Sequence, residues 1–376
     1  RLIYEQVQAA RDGNPDEMTE PLLEPVIAPL YGAYEALLRG RAARGTLELE
    51  IPERQVILGE DGHIERIVPR QRLDSHKLIE EFMILANVAA AEALEAKNRP
   101  AMYRIHEEPP LDKLEALRMA LDGLGYKLAK GQTIRPSHFT GILAKAEGTE
   151  KETLISELIL RSQSQAKYSP ENPGHFGLAL RRYCHFTSPI RRYADLLVHR
   201  SLIGGYRLGE GALSEEEAEK FEEIGDHISS TERRAIVAER DAMDRYTTAF
   251  MAERVGATFT ARISGVTRFG LFVTLDETGA DGLIPVSTIA DDYFIHDEVN
   301  HALVGERTGT TFTLADSVVV ELVEADPITG GMVFTIIEGG KEGRPVKKGR
   351  GGPKRGGPKR GPSRGGPKAR GKRGRR

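Results

Sequence analysis

Residues 175–200 read HFGLALRRYCHFTSPIRRYADLLVHR, and the rest of the chain is organised around them. Ser188-Pro189 is a helix-start pair. Serine accepts from free amides, and proline at the first helical position loses no hydrogen bond. Ile190, Tyr193, Ala194 and Leu197 then recur at helical spacing, which predicts one inward face. Arg191 and Arg192 would fall in the first turn, where the helix dipole disfavours them by about 1 kcal/mol or less unless an anion sits there. Phosphate is the usual anion at such a place. A surface arginine pair screened by water is the competing explanation. Cys184, the single cysteine, excludes an internal disulfide and a CxxC metal site, and in its apolar setting reads as a plain buried thiol.

Upstream, residues 2–10 read as the start of a helix, followed by a proline-bearing loop and a second helix over about 30–43. A hairpin is predicted from Gln55–Leu58, a turn at Glu60-Asp61-Gly62, and Ile64–Val68. Ser75 opens a helix to about Lys97 that is apolar on nearly every side and is expected inside a sizeable domain. Glu80 and Glu81 lie in its first turns. Either they favour the dipole, or one faces inward and requires a cationic or hydrogen-bonding partner. Asp112–Leu124 is an amphipathic helix. Thr149-x-x-Glu152 predicts a capping box before a helix over 153–167. Ser214-x-x-Glu217 predicts another, before two helices meeting near Gly225–Ser230.

The pattern changes at Gly256. Thr258–Ser264, Gly270–Leu275, Gly282–Val286, Ser317–Glu324 and Met332–Ile337 are short β-rich runs separated by Gly, Asp or Pro. Five such strands suggest a small closed barrel of the oligonucleotide-binding type. Its candidate stacking rings are Phe259, Phe269, Phe272 and Tyr293, with Arg262, Arg268 and His296 nearby, although a small barrel also needs rings to fill it. Phe269 and Phe272 cannot share one face of a regular strand.

At 376 residues the chain can hold two or three domains. Its net charge of −3 hides a division, because residues 344–376 carry 15 Lys+Arg and no acid. The preceding residues hold the other 38 of the 53 Lys+Arg against all 56 Asp+Glu. Gly-Gly-Pro-Lys recurs in the tail at 351, 356 and 365. So polar a segment cannot bury enough surface to fold and is expected to be a disordered arm that contacts phosphates. A tail folded onto its own acidic body is the alternative. No run reaches the roughly 18 apolar residues of a membrane span and no signal pattern is present, which predicts a cytoplasmic protein with no membrane partner. The chain opens on Arg1 and not Met, and is expected to continue a longer protein.

His175-Phe-Gly-Leu-Ala-Leu180, then His185-Phe-Thr-Ser-Pro-Ile-Arg-Arg-Tyr193, Asp195 and His199-Arg200, resemble the ribonuclease II/ribonuclease R family of processive 3′→5′ exoribonucleases. Tyr4-Glu-Gln-Val7, His76-Lys-Leu-Ile-Glu-Glu81, Met83-Ile-Leu-Ala-Asn87 and Tyr103-Arg-Ile-His106 extend the likeness, which runs to about Ile337. Gly265–Val273 and Asp281–Ser287 look like an S1 RNA-binding domain. The resemblance implies an α+β chain in three parts. Residues 1–255 would be the helix-rich C-terminal part of an RNB catalytic domain, 256–340 an S1 barrel, and 341–376 the basic tail.

It also implies roles. Arg191 would hold the phosphate near the scissile bond. Tyr4 and Glu80 would lie beside the terminal riboses, with Arg191 as a partner for the carboxylate. Thr187, Ser188, Arg192 and Tyr193 would line the same wall, and Arg268, Phe269, Phe272 and Tyr293 would feed RNA in. The substrate would be single-stranded RNA or RNA with a 3′ overhang, and the tail could reach ribosomes. The family's chemistry uses Mg²⁺ held by an aspartate cluster that belongs upstream of Tyr4. That cluster is not in this sequence, and neither Asp291-Asp292 nor Asp241 with Asp244 has its spacing. The family's N-terminal cold-shock barrels are missing too, and Leu49 aligns where an aromatic ring often clamps the 3′ base. The expectation is a chain that binds RNA without hydrolysing it. A non-catalytic RNA-binding adaptor, or an interaction protein docking through its tail, would be the alternatives.

Overall fold

The computed structural model describes residues 1–343 apart from 50–53, 61, 63, 132, 150 and 299. The predicted tail, 341–376, therefore lies outside the described residues beyond Gly343.

The first layer is helical: α1 (Tyr4–Arg11), α2 (Ala28–Arg44) and α3 (Asp74–Ala96). α2 starts with a proline in its first turn and stops at Gly45, whose φ of 72° is left-handed. Ala10, Tyr31, Tyr34 and Leu78 bury together between the three helices. The hairpin β1 (Arg54–Leu58) and β2 (Ile64–Pro69) pairs antiparallel between α2 and α3, close to its expected place. Leu78, Glu81, Ile84, Asn87, Ala91 and Leu94 run down the buried side of α3 at helical steps. Ile79 and Leu85 are exposed, so α3 is not enclosed on every side as its uniform apolarity predicts.

β3 (Tyr103–Ile105) pairs antiparallel with β4 (Lys167–Ser169), and α4 (Leu111–Gly123), α5 (Pro136–Ala146) and α6 (Glu152–Ser162) lie between them in sequence. Leu114, Leu117, Leu121, Phe139, Ile142, Ile155 and Ile159 form their common core. α5 was not anticipated, because its short PSHFTGILAKA carries only Phe139, Ile142 and Ala146 as a periodic face. α6 stops five residues before the expected Lys167, which belongs to a strand instead. The capping box at Thr149 and Glu152 is corrected as well. Glu152 accepts from the Gly148 amide at 2.8 Å and Thr149 Oγ1 from the Lys151 amide at 3.3 Å, so both residues hold the preceding turn.

α7 (Tyr193–Tyr206) begins later than Ser188-Pro189 predicts. Arg192 is its N-cap in an extended conformation, and Ile190 is fully exposed rather than inward. The reason is Asp195 in the first helical turn. It accepts from the Ser188 amide and pairs with Arg192, so the residues before Tyr193 form a turn and the acid, not the arginines, sits in the helix start.

α8 (Glu215–Glu219) carries the expected box: Ser214 Oγ accepts from the Glu217 amide at 3.2 Å, and Glu217 accepts from the Ser214 amide at 3.0 Å. The helices do not divide at Gly225–Ser230. α9 (Phe221–Ala252) passes through those residues unbroken. Small residues there serve close packing. A Cβ on Gly225 would lie 2.9 Å from the Tyr168 carbonyl, while Ser229 Oγ accepts from the Tyr168 amide at 2.9 Å and donates to the Gly225 carbonyl at 2.7 Å.

The last part is a closed barrel, β5 (Thr258–Thr267), β6 (Gly270–Leu275), β7 (Asp281–Pro285), a separate sheet of β8 (Phe294–Asp297), β9 (Ala302–Gly305) and β10 (Thr311–Thr313), then β11 (Ser317–Asp326) and β12 (Gly331–Glu338). Strand order around the barrel is β11-β12-β7-β6-β5, with β12 and β7 parallel. Ile263, Leu271, Val273, Leu275, Val320, Leu322 and Phe334 fill it, joined by Met251 from α9. The small β8–β10 sheet was not predicted; its strands are only three or four residues long. Leu314 buries in the α4–α6 core and Arg161 of α6 donates to the Ser264 carbonyl, so barrel and helical body are in contact.

Candidate functional site

Asn87, at the middle of α3, organises the central segment. Its Nδ2 donates to the Tyr183 hydroxyl at 3.0 Å, its Oδ1 accepts from the Phe186 amide at 2.9 Å, and its carbonyl accepts from Cys184 Sγ at 3.3 Å. Phe186 stacks on His199 with ring centroids 4.3 Å apart, and His199 Nε2 donates to the Phe186 carbonyl at 2.8 Å. Beyond this anchor the chain turns at Pro189–Arg191. Ser188 O accepts from the Arg191 and Arg192 amides at 3.3 and 3.1 Å. Ser188 N donates to Asp195 Oδ1 at 2.7 Å. Arg192 reaches both oxygens of the same carboxylate at 2.8 Å.

Arg191 and Arg192 therefore have separate fates. The guanidinium of Arg192, expected to face RNA, is instead bound bidentately to the fully buried Asp195. Arg191 is exposed, and its guanidinium makes no hydrogen bond or ion pair with another described residue. Tyr193 is half exposed beside it. Thr187 Oγ1 is buried with no hydrogen-bond partner among the described residues.

Behind this turn the rings of His106, His175, Tyr183, His185 and Tyr168 follow one another at centroid spacings of 5.2, 5.3, 5.7 and 5.6 Å. Burial, reinforced by His106 and Arg104, pushes His175 down to about 3; burial, with Arg192 and Arg104, pushes His185 down to about 2. Both are neutral at ordinary pH and packed as wall, unsuited to taking a proton there. Burial pushes the Cys184 thiol up to about 12, as expected of an unreactive thiol. Arg104 lies over the Tyr168 ring and pairs with Glu232 of α9 at 2.7 Å, tying that helix to the same wall.

Tyr4 and Glu80 are placed by the α1–α3 contact. The Tyr4 ring stacks on His76 at 4.2 Å, and Ser75 Oγ donates to the Tyr4 carbonyl at 2.9 Å. The inward carboxylate is Glu81, 3% exposed, and not Glu80. Its cation is Arg41 at 2.6 Å rather than Arg191, and Arg41 also binds Glu48. Glu80 pairs with Arg72 at the surface. Glu80 and Leu49 share a groove of about 780 Å³ with Arg41, Glu48, Arg72 and Glu81, while Tyr4 lines a neighbouring, more apolar one of about 560 Å³ with Leu30 and Ile79. Tyr31 lines both, and Arg191 lines neither.

A divalent metal is not accommodated by these side chains. Glu80 is paired with Arg72, Glu81 with Arg41, and Asp195 with Arg192 and Ser188. Among the described residues no three His, Cys, Asp or Glu side chains converge as a ligand set. No chemical step through Mg²⁺ is assigned to these residues.

On the barrel, Phe269 lies in the turn before β6 and Phe272 within it. Both are exposed, with rings edge to face at 6.0 Å. The turn brings together two rings that a regular strand would separate. Arg268 is exposed beside them, and Tyr293 is the most exposed of the three rings. Phe259 packs on the barrel core, and Arg262 donates to the Ala315 carbonyl at 3.2 Å.

Sequence reasoning gave no role to Asn87, Asp195, Arg41 or Glu232. An asparagine within MILANVAAA was the available signal, since a buried polar group on an apolar helix must be hydrogen-bonded.

Residues 1–205 match the RNB domain and residues 253–336 the S1 RNA binding domain. The chain belongs to the RNB family. It is 41% identical over 340 residues to ribonuclease R of Aquifex aeolicus, covering 90% of this chain and 48% of that protein. It is 38% identical over 358 residues to ribonuclease R of Escherichia coli, covering 93% and 44%. The structure of Mycoplasma genitalium RNase R in complex with ribose methylated single-stranded RNA superposes with a TM-score of 0.81 at 29% identity, over 89% of this chain and 53% of that one. The chain thus spans about half the length of the relatives it matches. Among the described residues no helix is long and apolar enough to cross a membrane.

Proposed function

We propose that this chain is the RNA-holding part of a cytoplasmic 3′→5′ exoribonuclease that hydrolyses RNA to nucleoside 5′-monophosphates. The observation that carries the reading is Arg191: a guanidinium with no partner among the described residues, on a turn pinned by Asn87 and Asp195, inside the residues matched to the RNB domain. Arg191 holds the phosphate near the scissile bond. Tyr4 and Glu80 lie beside the terminal riboses, where the 2′-hydroxyl distinguishes RNA from DNA. Thr187, Ser188 and Tyr193 line the wall next to Arg191. The division is 1–255 for the catalytic-domain part, 256–340 for the S1 barrel and 341–376 for the tail. Arg268, Phe269, Phe272 and Tyr293 receive single-stranded RNA or a 3′ overhang by stacking and charge. The tail adds phosphate contacts and reaches ribosomes.

Mg²⁺ serves the hydrolysis, with its ligands outside this chain's residues, so the chain alone binds RNA and leaves it intact. Incubating it with 3′-overhang RNA and Mg²⁺ tests this. Release of mononucleotides would sink the reading. The committed state of Glu80, Glu81 and Asp195 also favours a second reading, a non-catalytic RNA-binding adaptor. Assaying the protein at the full length of its relatives separates the two: activity appears in the first case only.

A further inference from the structure

We propose that Asp195 is a positioning residue for Arg191, holding the turn that presents it from both ends at once. The inference rests on Arg191 being the phosphate ligand. Ser188 and Arg192 bracket the turn, and the Asp195 carboxylate engages both, the first by its amide at 2.7 Å and the second by two guanidinium nitrogens at 2.8 Å. The backbone closes the same loop through the Ser188 carbonyl. One step further back, Phe186 is fixed by Asn87 and His199. The backbone carrying Arg191 is therefore restrained on both sides while its side chain remains free to meet a ligand.

Ordinary helix capping does not account for this arrangement. An acid in the first turn of α7 could serve its own helix, yet the N-cap residue, Arg192, makes no side-chain capping hydrogen bond. The carboxylate is directed backwards, onto the turn. It also divides two adjacent cations: Arg192 is paired with the carboxylate, and Arg191 has no ion-pair partner among the described residues. Without the carboxylate, Arg192 would be left unpaired with its side chain 19% exposed, free to swing outward and compete for the same phosphate.

The test is steady-state cleavage of 3′-overhang RNA by the protein at the full length of its relatives. Asp195→Asn keeps the shape and removes the charge. The expected result is kcat lower by about tenfold or more with KM changed less than about threefold, since misplacing a reacting contact by about 1 Å costs on the order of a hundredfold. Arg191→Ala is expected to reduce kcat further, and the double variant to be no worse than Arg191→Ala alone, because Asp195 acts only through Arg191. Arg192→Met with Asp195→Leu guards against misfolding. It strands no charge but releases Ser188, and should lower kcat as Asp195→Asn does. Wild-type turnover in Asp195→Asn, or losses that multiply in the double variant, would overturn the positioning role and leave the phosphate reading standing. Wild-type turnover in Arg191→Ala would overturn both.

Discussion

Replacing Gly225 by alanine should destabilise this protein, although the same change elsewhere in its helices should stabilise it. In an exposed helix interior, Gly→Ala gains about 1 kcal/mol through propensity. Gly32 in α2 offers that situation, with nothing within 4 Å of an added Cβ. At Gly225 the added carbon would lie 2.9 Å from the Tyr168 carbonyl oxygen and 3.4 Å from Met102 Sδ. The oxygen belongs to strand backbone, so α9 or β4 must shift, and overpacking of this kind costs about 1–3 kcal/mol. Less the propensity gain, Gly225→Ala should cost about 0–2 kcal/mol and lie about 1–3 kcal/mol below Gly32→Ala. Urea unfolding followed by circular dichroism measures the order of the two variants. Hydrogen exchange at the Tyr168 amide, now held by Ser229, locates the damage. If both variants gain stability equally, the close approach of α9 to β4 is wrong.

Stability should fall with acid through His175 and His185. Their folded pKa values, about 3 and about 2, lie below the unfolded value of about 6.5, so the unfolded chain binds more protons between these limits. The contribution is complete above about pH 6.5 and declines below it, by up to about 2 kcal/mol per histidine at pH 5; denaturant midpoints across that window should flatten in a variant replacing both rings by phenylalanine. Glu81→Leu should cost about 2–3 kcal/mol by thermal or urea unfolding, less than a fully stranded cation because Arg41 retains Glu48. Phe269→Ala and Phe272→Ala should each weaken single-stranded RNA binding by about 1–3 kcal/mol in a filter or anisotropy titration while leaving unfolding unchanged. Deleting 344–376 should lower RNA affinity and flatten its dependence on salt, as read from titrations at several ionic strengths.

The barrel was the most legible part of the fold. Its five strands alternate and are punctuated by glycine and aspartate, so their periods and boundaries came out within a few residues. The helices were harder wherever tertiary contacts override local chemistry. Ser188-Pro189 has every local mark of a helix start, and Asp195 overrules it by drawing the Ser188 amide into a turn. Gly225 and Ser229 resemble a break, and the strand beneath makes them a seat. In the site, charge in an unfavourable place does not single out Arg191, because Arg191 and Arg192 precede the first turn of α7, and their separation from each other was not legible either. That depends on a buried carboxylate whose direction the sequence does not carry. Glu80 and Glu81 show the same limit, since adjacent positions on a helix differ by about 100° in facing.

α9 runs without interruption from its seat on β4 to the barrel, where Met251 enters the core, and its residues 233–242 are exposed. At 1.5 Å per residue its 32 residues make a rod of about 48 Å. Under the proposed function, tension on RNA held at Phe269 and Phe272 would reach the far end of α9, where Gly225 meets the Tyr168 carbonyl, alongside the second path through Leu314 and Arg161. Pulling at the barrel would thus be felt at the wall behind Arg191.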